Sequence, residues 1–268
     1  MNTIPTITLS NGVTVPQIGL GTWQMKPEEA KSAVLAALQL GYRHIDTAAV
    51  YGNEEAIGEA IRESGIPRSE IFITTKLPAE QKGYEEARRG LNDSLKRLGT
   101  DYIDLYLIHA PWPWGEQDKD CSEGNKACWD AMQEDYRAGK MRAIGVSNFA
   151  PRHFTPLLDA PILPMVNQIS FFPGRPQQET VDFCVPRGIQ IGAYAPLATG
   201  LVFRCAPLKE MADRYGVSVA QLCICYCLQK GTIVIPKSTH PERLKENMDI
   251  HFVIRDEDMA LLDRMPVV

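Results

Sequence analysis

Asp46, Tyr51, Lys76 and His109 are the residues of this chain whose types, taken together, could run acid–base chemistry on a carbonyl. Reducing a carbonyl places negative charge on its oxygen, which calls for a proton donor and for oriented hydrogen-bond donors. A phenol such as Tyr51 could give that proton, although an ordinary pKa of about 10 makes it a weak acid at neutral pH. An ammonium beside it, Lys76, would favour the phenolate and ease proton release. A carboxylate, Asp46, would hold the ammonium in place, and a neutral His109 could orient the carbonyl oxygen. The chemistry such a set suits is proton transfer coupled to hydride transfer. A Schiff base on Lys76, as in a barrel aldolase, is the other enzyme chemistry it allows. The chain contains no GxSxG, HExxH, GxxxxGKS/T or CxxC, so serine hydrolysis, zincin chemistry and P-loop chemistry lack their usual residues.

These side chains sit at the ends of short apolar runs. Strands are expected around Gln17–Leu20, His44–Asp46, Ile71–Lys76, Ile103–His109, Ala143–Ser147, Met165–Ile169, Ile189–Ala193 and Thr232–Pro236. Several of the runs end in a polar or reactive group: Asp46, Lys76, His109, Ser147-Asn148, Gln168, Tyr194 and Lys237-Ser238. Singly, such a residue is as easily a helix cap or a surface charge. In order, they describe one rim of a parallel barrel, where several strands can aim side chains at one point. Helical segments separate the runs. Pro27–Leu40 opens with Pro and two glutamates and ends at Gly41, and Tyr84–Leu98 repeats apolar residues at Ala87, Leu91, Leu95 and Leu98 before Gly99. The expected architecture is α/β, a (β/α)8 barrel over residues 1–268 as a single domain. Ahead of it, Ile7, Leu9, Val13 and Val15 alternate around Asn11-Gly12, which predicts an N-terminal β-hairpin with a type I′ turn.

An open doubly wound sheet is the structural rival, and Gly19-Leu20-Gly21 resembles the start of its dinucleotide fingerprint. The third glycine is missing and no acidic residue closes a unit about 20 residues on.

A formal charge of −5 offers no attraction for nucleic acid or an anionic membrane surface. No window approaches the roughly 18 apolar residues of a membrane helix, and the N-terminus has no basic leader with an apolar stretch behind it, so the cytoplasm is the expected compartment. Seven cysteines, mainly at apolar positions, read as reduced and mostly buried thiols. In a helix the middle member of Cys223-x-Cys225-x-Cys227 points away from the other two, so no metal is expected. No heptad run stands out, and a monomer is the default expectation.

Three ordered stretches strongly resemble the aldo-keto reductase superfamily. The first runs from Gly41-Tyr42-Arg43-His44-Ile45-Asp46-Thr47-Ala48 through Tyr51, Gly52, Asn53, Glu54 and Gly58. The second is Arg142 to Phe149 (RAIGVSNF), and the third is Ile235-Pro236-Lys237-Ser238 with Arg243, Glu246 and Asn247. The resemblance is to bacterial-type members such as the 2,5-diketo-D-gluconate reductases. It implies Asp46, Tyr51, Lys76 and His109 as the catalytic tetrad, with Tyr51 the general acid. It implies that Ser147, Asn148 and Gln168 hold a nicotinamide carboxamide, that Tyr194 stacks on the ring, and that Lys237, Ser238 and Arg243 surround an adenosine 2′-phosphate, with Glu246 and Asn247 near the adenine. Two cations and a hydroxyl favour a phosphate, so NADPH is expected over NADH.

The sequence departs from the family pattern after the catalytic histidine, where it reads His109-Ala110-Pro111-Trp112-Pro113-Trp114. Trp23 and Trp112 are the expected pocket walls, beside His109. The chain ends soon after its last helical segment, which suggests small substrates or an open site, the expected substrates being aldehydes and ketones such as dicarbonyls, keto sugars and diketo sugar acids. The same superfamily includes channel-associated and lens structural proteins, so a non-enzymatic NADPH-binding or structural barrel is the alternative from another class. The intact tetrad argues against it.

Overall fold

The computed structural model describes residues 4–266; the outermost residues of the expected 1–268 domain lie outside the described ones. The hairpin comes first, β1 (Thr6–Thr8) against β2 (Thr14–Pro16), antiparallel with Ile7 opposite Val15. Its turn is longer than the expected type I′. Gly12 N–H donates to Leu9 O at 2.9 Å and Leu9 N–H to Val13 O at 2.8 Å, and of the Asn-Gly pair Gly12 alone has positive φ (+85°). Asn11 is held otherwise, because its side-chain amide donates to Arg142 O (2.9 Å) and the Tyr136 hydroxyl (3.2 Å), pinning the hairpin to the barrel.

Eight parallel strands then follow: β3 (Leu20–Gly21), β4 (His44–Asp46), β5 (Phe72–Leu77), β6 (Ile103–Ile108), β7 (Met141–Ser147), β8 (Val166–Ser170), β9 (Gln190–Tyr194) and β10 (Ile233–Ile235). Each pairs with the next in sequence. The ends meet through Val234 N–H to Gln17 O (2.7 Å), Gly19 N–H to Val234 O (2.9 Å) and Gly21 N–H to Pro236 O (3.0 Å), which closes the sheet into a (β/α)8 barrel. The Gly19 and Gly21 positions serve this closure. A Cβ on Gly19 would stand 2.7 Å from His44 Nδ1, and one on Gly21 3.0 Å from Ile235 Cγ2.

Around the barrel lie α1 (Pro27–Leu40), α2 (Glu54–Glu63), α3 (Tyr84–Leu98), α4 (Ser122–Arg137), α5 (Gln178–Cys184), α6 (Ala206–Tyr215), α7 (Val219–Gln229), α8 (Pro241–Met248) and α9 (Asp256–Asp263). The alternation is imperfect. After β7 the chain makes a 3-10 coil, Pro151–Leu157, because Pro156 inside it lacks the N–H an α-helix would use. Between β9 and β10 there are two helices, α6 and α7. Nearly every residue of α7 from Ala220 to Cys227 is buried, including Cys223, Cys225 and Cys227. Cys121 and Cys205 are half-buried. Among the described residues no helix is long and apolar enough to cross a membrane.

Candidate active site

Strand parity assembles the site. Successive residues of a strand face opposite sides, so on β4 and β5 His44 and Asp46 share one face with Thr74 and Lys76. The two pairs meet as hydrogen bonds one above the other: His44 Nε2 to Thr74 Oγ1 at 3.0 Å, and Lys76 Nζ donating to Asp46 Oδ1 at 2.7 Å. Thr75, of opposite parity, turns outward and donates to Glu54 Oε1 at the start of α2 (2.6 Å). Because all eight strands run the same way, Asp46, His109, Ser147, Gln168 and Tyr194 reach one rim. They line a single cavity of about 1290 Å³ together with Tyr51, which stands on a 3-10 turn, Ala49–Tyr51, just beyond β4.

Lys76 lies beneath this surface, 1% exposed, with its second hydrogen bond to Thr47 O at 2.7 Å. Its ammonium stands 5.4 Å from the centroid of the Tyr51 ring, whose edge meets the His109 ring at 5.7 Å between centroids. Asp46 also accepts from Gln168 Nε2 (2.6 Å), so a side chain from β8 crosses the barrel mouth to the same carboxylate. On the far side Ser147 Oγ donates to Gln168 O (2.8 Å), Asn148 Nδ2 donates to His109 O (3.0 Å), and the Tyr194 hydroxyl donates to Asn148 Oδ1 (2.7 Å). Asn148 makes both contacts from a left-handed backbone (φ +63°), a conformation Asn tolerates better than most side chains. Of the six non-glycine residues with positive φ among the described ones, five line the cavity: Gln24, Asn148, Ala195, Ala198 and Thr199. Backbone strain therefore concentrates at this rim.

The electrostatics differ from the sequence expectation in one respect. Burial first, and then the negative charge of Asp46 and the neighbouring Tyr194, push the Tyr51 phenol well above its usual range. The depression expected from Lys76 does not prevail, because burial, the largest cause, acts in the opposite direction. Lys76 itself is lowered by burial, with Asp46 opposing the shift. Burial, then the cations of Lys76 and Lys82, hold His109 well below 6.5 and therefore neutral. Its Nδ1 is buried without a partner among the described residues.

The other expected cofactor residues line the same cavity. Lys237 and Ser238 follow β10, and Arg243, Glu246 and Asn247 lie on α8; all five are in the lining. Trp23 also lines it and is 48% exposed. Trp112 does not. Trp114, two residues on, reaches the lining instead, edge-on to His109 at 5.3 Å between centroids, and Trp112 packs against Trp114 at 5.4 Å. Val50, Phe172, Leu201 and Phe203 supply further apolar wall, and Arg175 adds a cation. Trp114 could have been found from its place in the aromatic run after His109. The residues on loops beyond β8 and β9 carried no local signal. Among the described residues no three His, Cys, Asp or Glu side chains are grouped to hold a metal ion.

The Aldo/keto reductase family profile matches residues 17–266. The chain belongs to this family. A glyoxal reductase of Bacillus subtilis is 44% identical over 263 residues, covering 97% of this chain and 92% of that protein. Among solved structures, an aldo/keto reductase from Brucella melitensis superposes with a TM-score of 0.92 at 41% identity, covering 99% of each chain. A Bombyx mori aldo-keto reductase, solved in complex with NADP, superposes with a TM-score of 0.90 at 34% identity, covering 100% of this chain and 96% of its own. This aldo-keto reductase is thus an oxidoreductase enzyme built on the (β/α)8 barrel, and its cavity lies where barrel enzymes carry their active sites.

Proposed function

We propose that the enzyme reduces aldehyde or ketone groups of small substrates, dicarbonyls and keto sugars among them, with NADPH, and that Tyr51 gives the proton. The observation that carries the reading is the convergence of Tyr51, His109 and the buried Lys76–Asp46 pair on one cavity. The B. subtilis glyoxal reductase and the NADP-bound B. mori enzyme support it.

The residues present fit the cofactor. About 1290 Å³ exceeds the usual room for a small ligand alone, and Lys237 and Arg243 supply cations at one end of it, beside the N-terminus of α8. Those two with Ser238 would hold the 2′-phosphate, with Glu246 and Asn247 near the adenine. At the other end Ser147, Asn148 and the carbonyl oxygen of the Gln168 amide, whose nitrogen Asp46 takes, would hold the carboxamide against the Tyr194 ring. When bound, the cofactor supplies a hydride.

The chain's own groups then do the rest. A neutral His109 can donate one ring N–H to the carbonyl oxygen without adding a competing charge, which fixes that oxygen beside Tyr51. Burial keeps the phenol protonated until charge develops on the substrate oxygen, and this is the state a general acid must start from. The Lys76 ammonium, 5.4 Å from the ring centroid, opposes the build-up of negative charge as the proton leaves. Trp23 and Trp114 form apolar wall on the lining of the cavity. The apolar walls suit small substrates with short apolar or neutral polar bodies.

The test is NADPH oxidation with a panel of small dicarbonyls, aldehydes and keto sugars, comparing the parent with Tyr51→Phe. Loss of turnover with NADPH binding retained is the expected result. Unchanged turnover in Tyr51→Phe would overturn the proton-donor assignment, and an inactive parent the reductase reading itself.

A further inference from the structure

We propose that Lys82, seated on Gly124 and joined to Asn125, is a positioning residue that fixes the backbone directly after His109 and thereby sets how the imidazole and the Trp112–Trp114 wall meet a carbonyl substrate. The inference rests on the reductase reading above, in which His109 faces that carbonyl.

The segment Ala110–Trp114 has little backbone support of its own, since Pro111 and Pro113 carry no N–H. Its first two carbonyls are instead gripped by side chains from two other elements. Lys82, in the loop between β5 and α3, donates from Nζ to Ala110 O at 2.7 Å. Asn125, in the first turn of α4, donates from Nδ2 to Pro111 O at 2.8 Å. The two side chains are themselves tied, Lys82 Nζ to Asn125 Oδ1 at 2.9 Å. Asn148 Nδ2 holds the carbonyl of His109 itself, so three consecutive carbonyls are each taken by a side chain.

The close approach of these elements requires a glycine. A Cβ on Gly124 would stand 2.7 Å from Lys82 O and 2.8 Å from Lys82 Cβ, so any larger residue would push the lysine off α4. Asn125 is 3% exposed. The lysine is largely desolvated, which holds its ammonium down at about 8. Among the described residues no carboxylate forms an ion pair with it; its bonds go to a carbonyl and an amide. Burying a cation on neutral acceptors is a costly way to stabilise a loop, and aliphatic packing would serve stability better. What the cation supplies in addition is direction, through fixed donors, and a field on His109, whose imidazole it helps to keep neutral.

The test compares the parent with Lys82→Met, which keeps most of the unbranched stem and removes the donors, and with Asn125→Asp, which keeps an acceptor for Lys82 and removes the donor to Pro111. Readouts are KM and kcat for a small aldehyde, the Kd of NADPH, and the His109 titration followed by NMR. Loss of the charged Lys82 bond predicts a fall in kcat/KM of about tenfold or more in Lys82→Met, and loss of the neutral Asn125–Pro111 bond a fall of about threefold or more in Asn125→Asp. The Kd of NADPH should stay within about twofold, because the bonds removed lie on the His109 loop and not on β10 or α8. In Lys82→Met the His109 pKa should rise as a cation is removed. An active parent with kcat/KM unchanged in both variants overturns the clamp alone, as does a Kd of NADPH that worsens in step with activity. If Lys82→Met fails to fold, Asn125→Asp decides by the same readouts. An inactive parent overturns the reductase reading on which the clamp rests.

Discussion

Asp46→Asn isolates the charge of the buried pair, since the amide keeps the shape and an oxygen that can still accept from Lys76. In the parent the ammonium and carboxylate meet at 2.7 Å with side-chain exposures of 1% and 5%. At an effective dielectric of about 20, two unit charges at that distance attract by roughly 6 kcal/mol. The variant cannot lose all of this, because a stranded ammonium can shed its proton. From the ordinary lysine value of 10.5, deprotonation at pH 7 costs about 5 kcal/mol and at pH 9 about 2 kcal/mol. The expected destabilisation is therefore about 3–5 kcal/mol at pH 7, the range seen when one partner of a buried pair is removed, and it shrinks as pH rises. The sign follows from proton counting. Burial lowers Lys76 in the parent and Asp46 opposes the shift, so without the Asp46 charge the native pKa falls further below the unfolded value near 10.5. Over that wider window the unfolded chain binds the extra proton, and the variant's stability climbs with pH more steeply than the parent's. Denaturant unfolding of parent and variant at pH 7, 8 and 9 measures it. A difference under about 1 kcal/mol at pH 7, or one that does not narrow by pH 9, would refute the view that Asp46 neutralises a buried ammonium.

Three further outcomes are expected. Gly58→Ala should destabilise by about 2 kcal/mol or more in thermal or denaturant unfolding, since the new methyl would stand 2.2 Å from Leu98 O, a backbone atom at the end of α3 that has little room to move. Arg243→Ala should weaken NADPH binding by about tenfold while changing NADH binding far less, as measured by fluorescence titration; equal losses would remove the 2′-phosphate from Arg243. The pH profile of kcat/KM should show no acid-side inflection near 6.5 from His109. Burial and the Lys76 and Lys82 cations lower that pKa, so the imidazole stays neutral until well below this value, and an inflection there that vanishes in a His109 variant would contradict it.

Much of the site was legible because the cues are local. The two-residue period of a strand and the turn that ends it are properties of adjacent residues, so Asp46, Lys76, His109, Ser147, Gln168 and Tyr194 could be placed on strand ends before any fold was known. Helices α1 and α3 begin and end at the residues their proline, acidic and glycine signals marked, Pro27–Leu40 and Tyr84–Leu98. Where a local cue met a distant contact, the contact won. Asn11-Gly12 reads as a two-residue turn, but Asn11 is held by Arg142 and Tyr136, more than a hundred positions away.

The sequence by itself determined the order of elements, the common rim and the identity of the groups on it, because strand parity and the parallel crossover leave few other arrangements. Only the tertiary structure decided how those groups couple. That Gln168 binds Asp46 across 122 positions follows from closure of the barrel. That Trp114 and not Trp112 lines the cavity, edge-on to His109 at 5.3 Å, is also visible only in the folded chain. The direction in which Tyr51 is shifted is likewise a matter of depth and of the charge of Asp46 beside it. Burial and electrostatic fields are sums over the whole folded molecule, and no window of residues contains them.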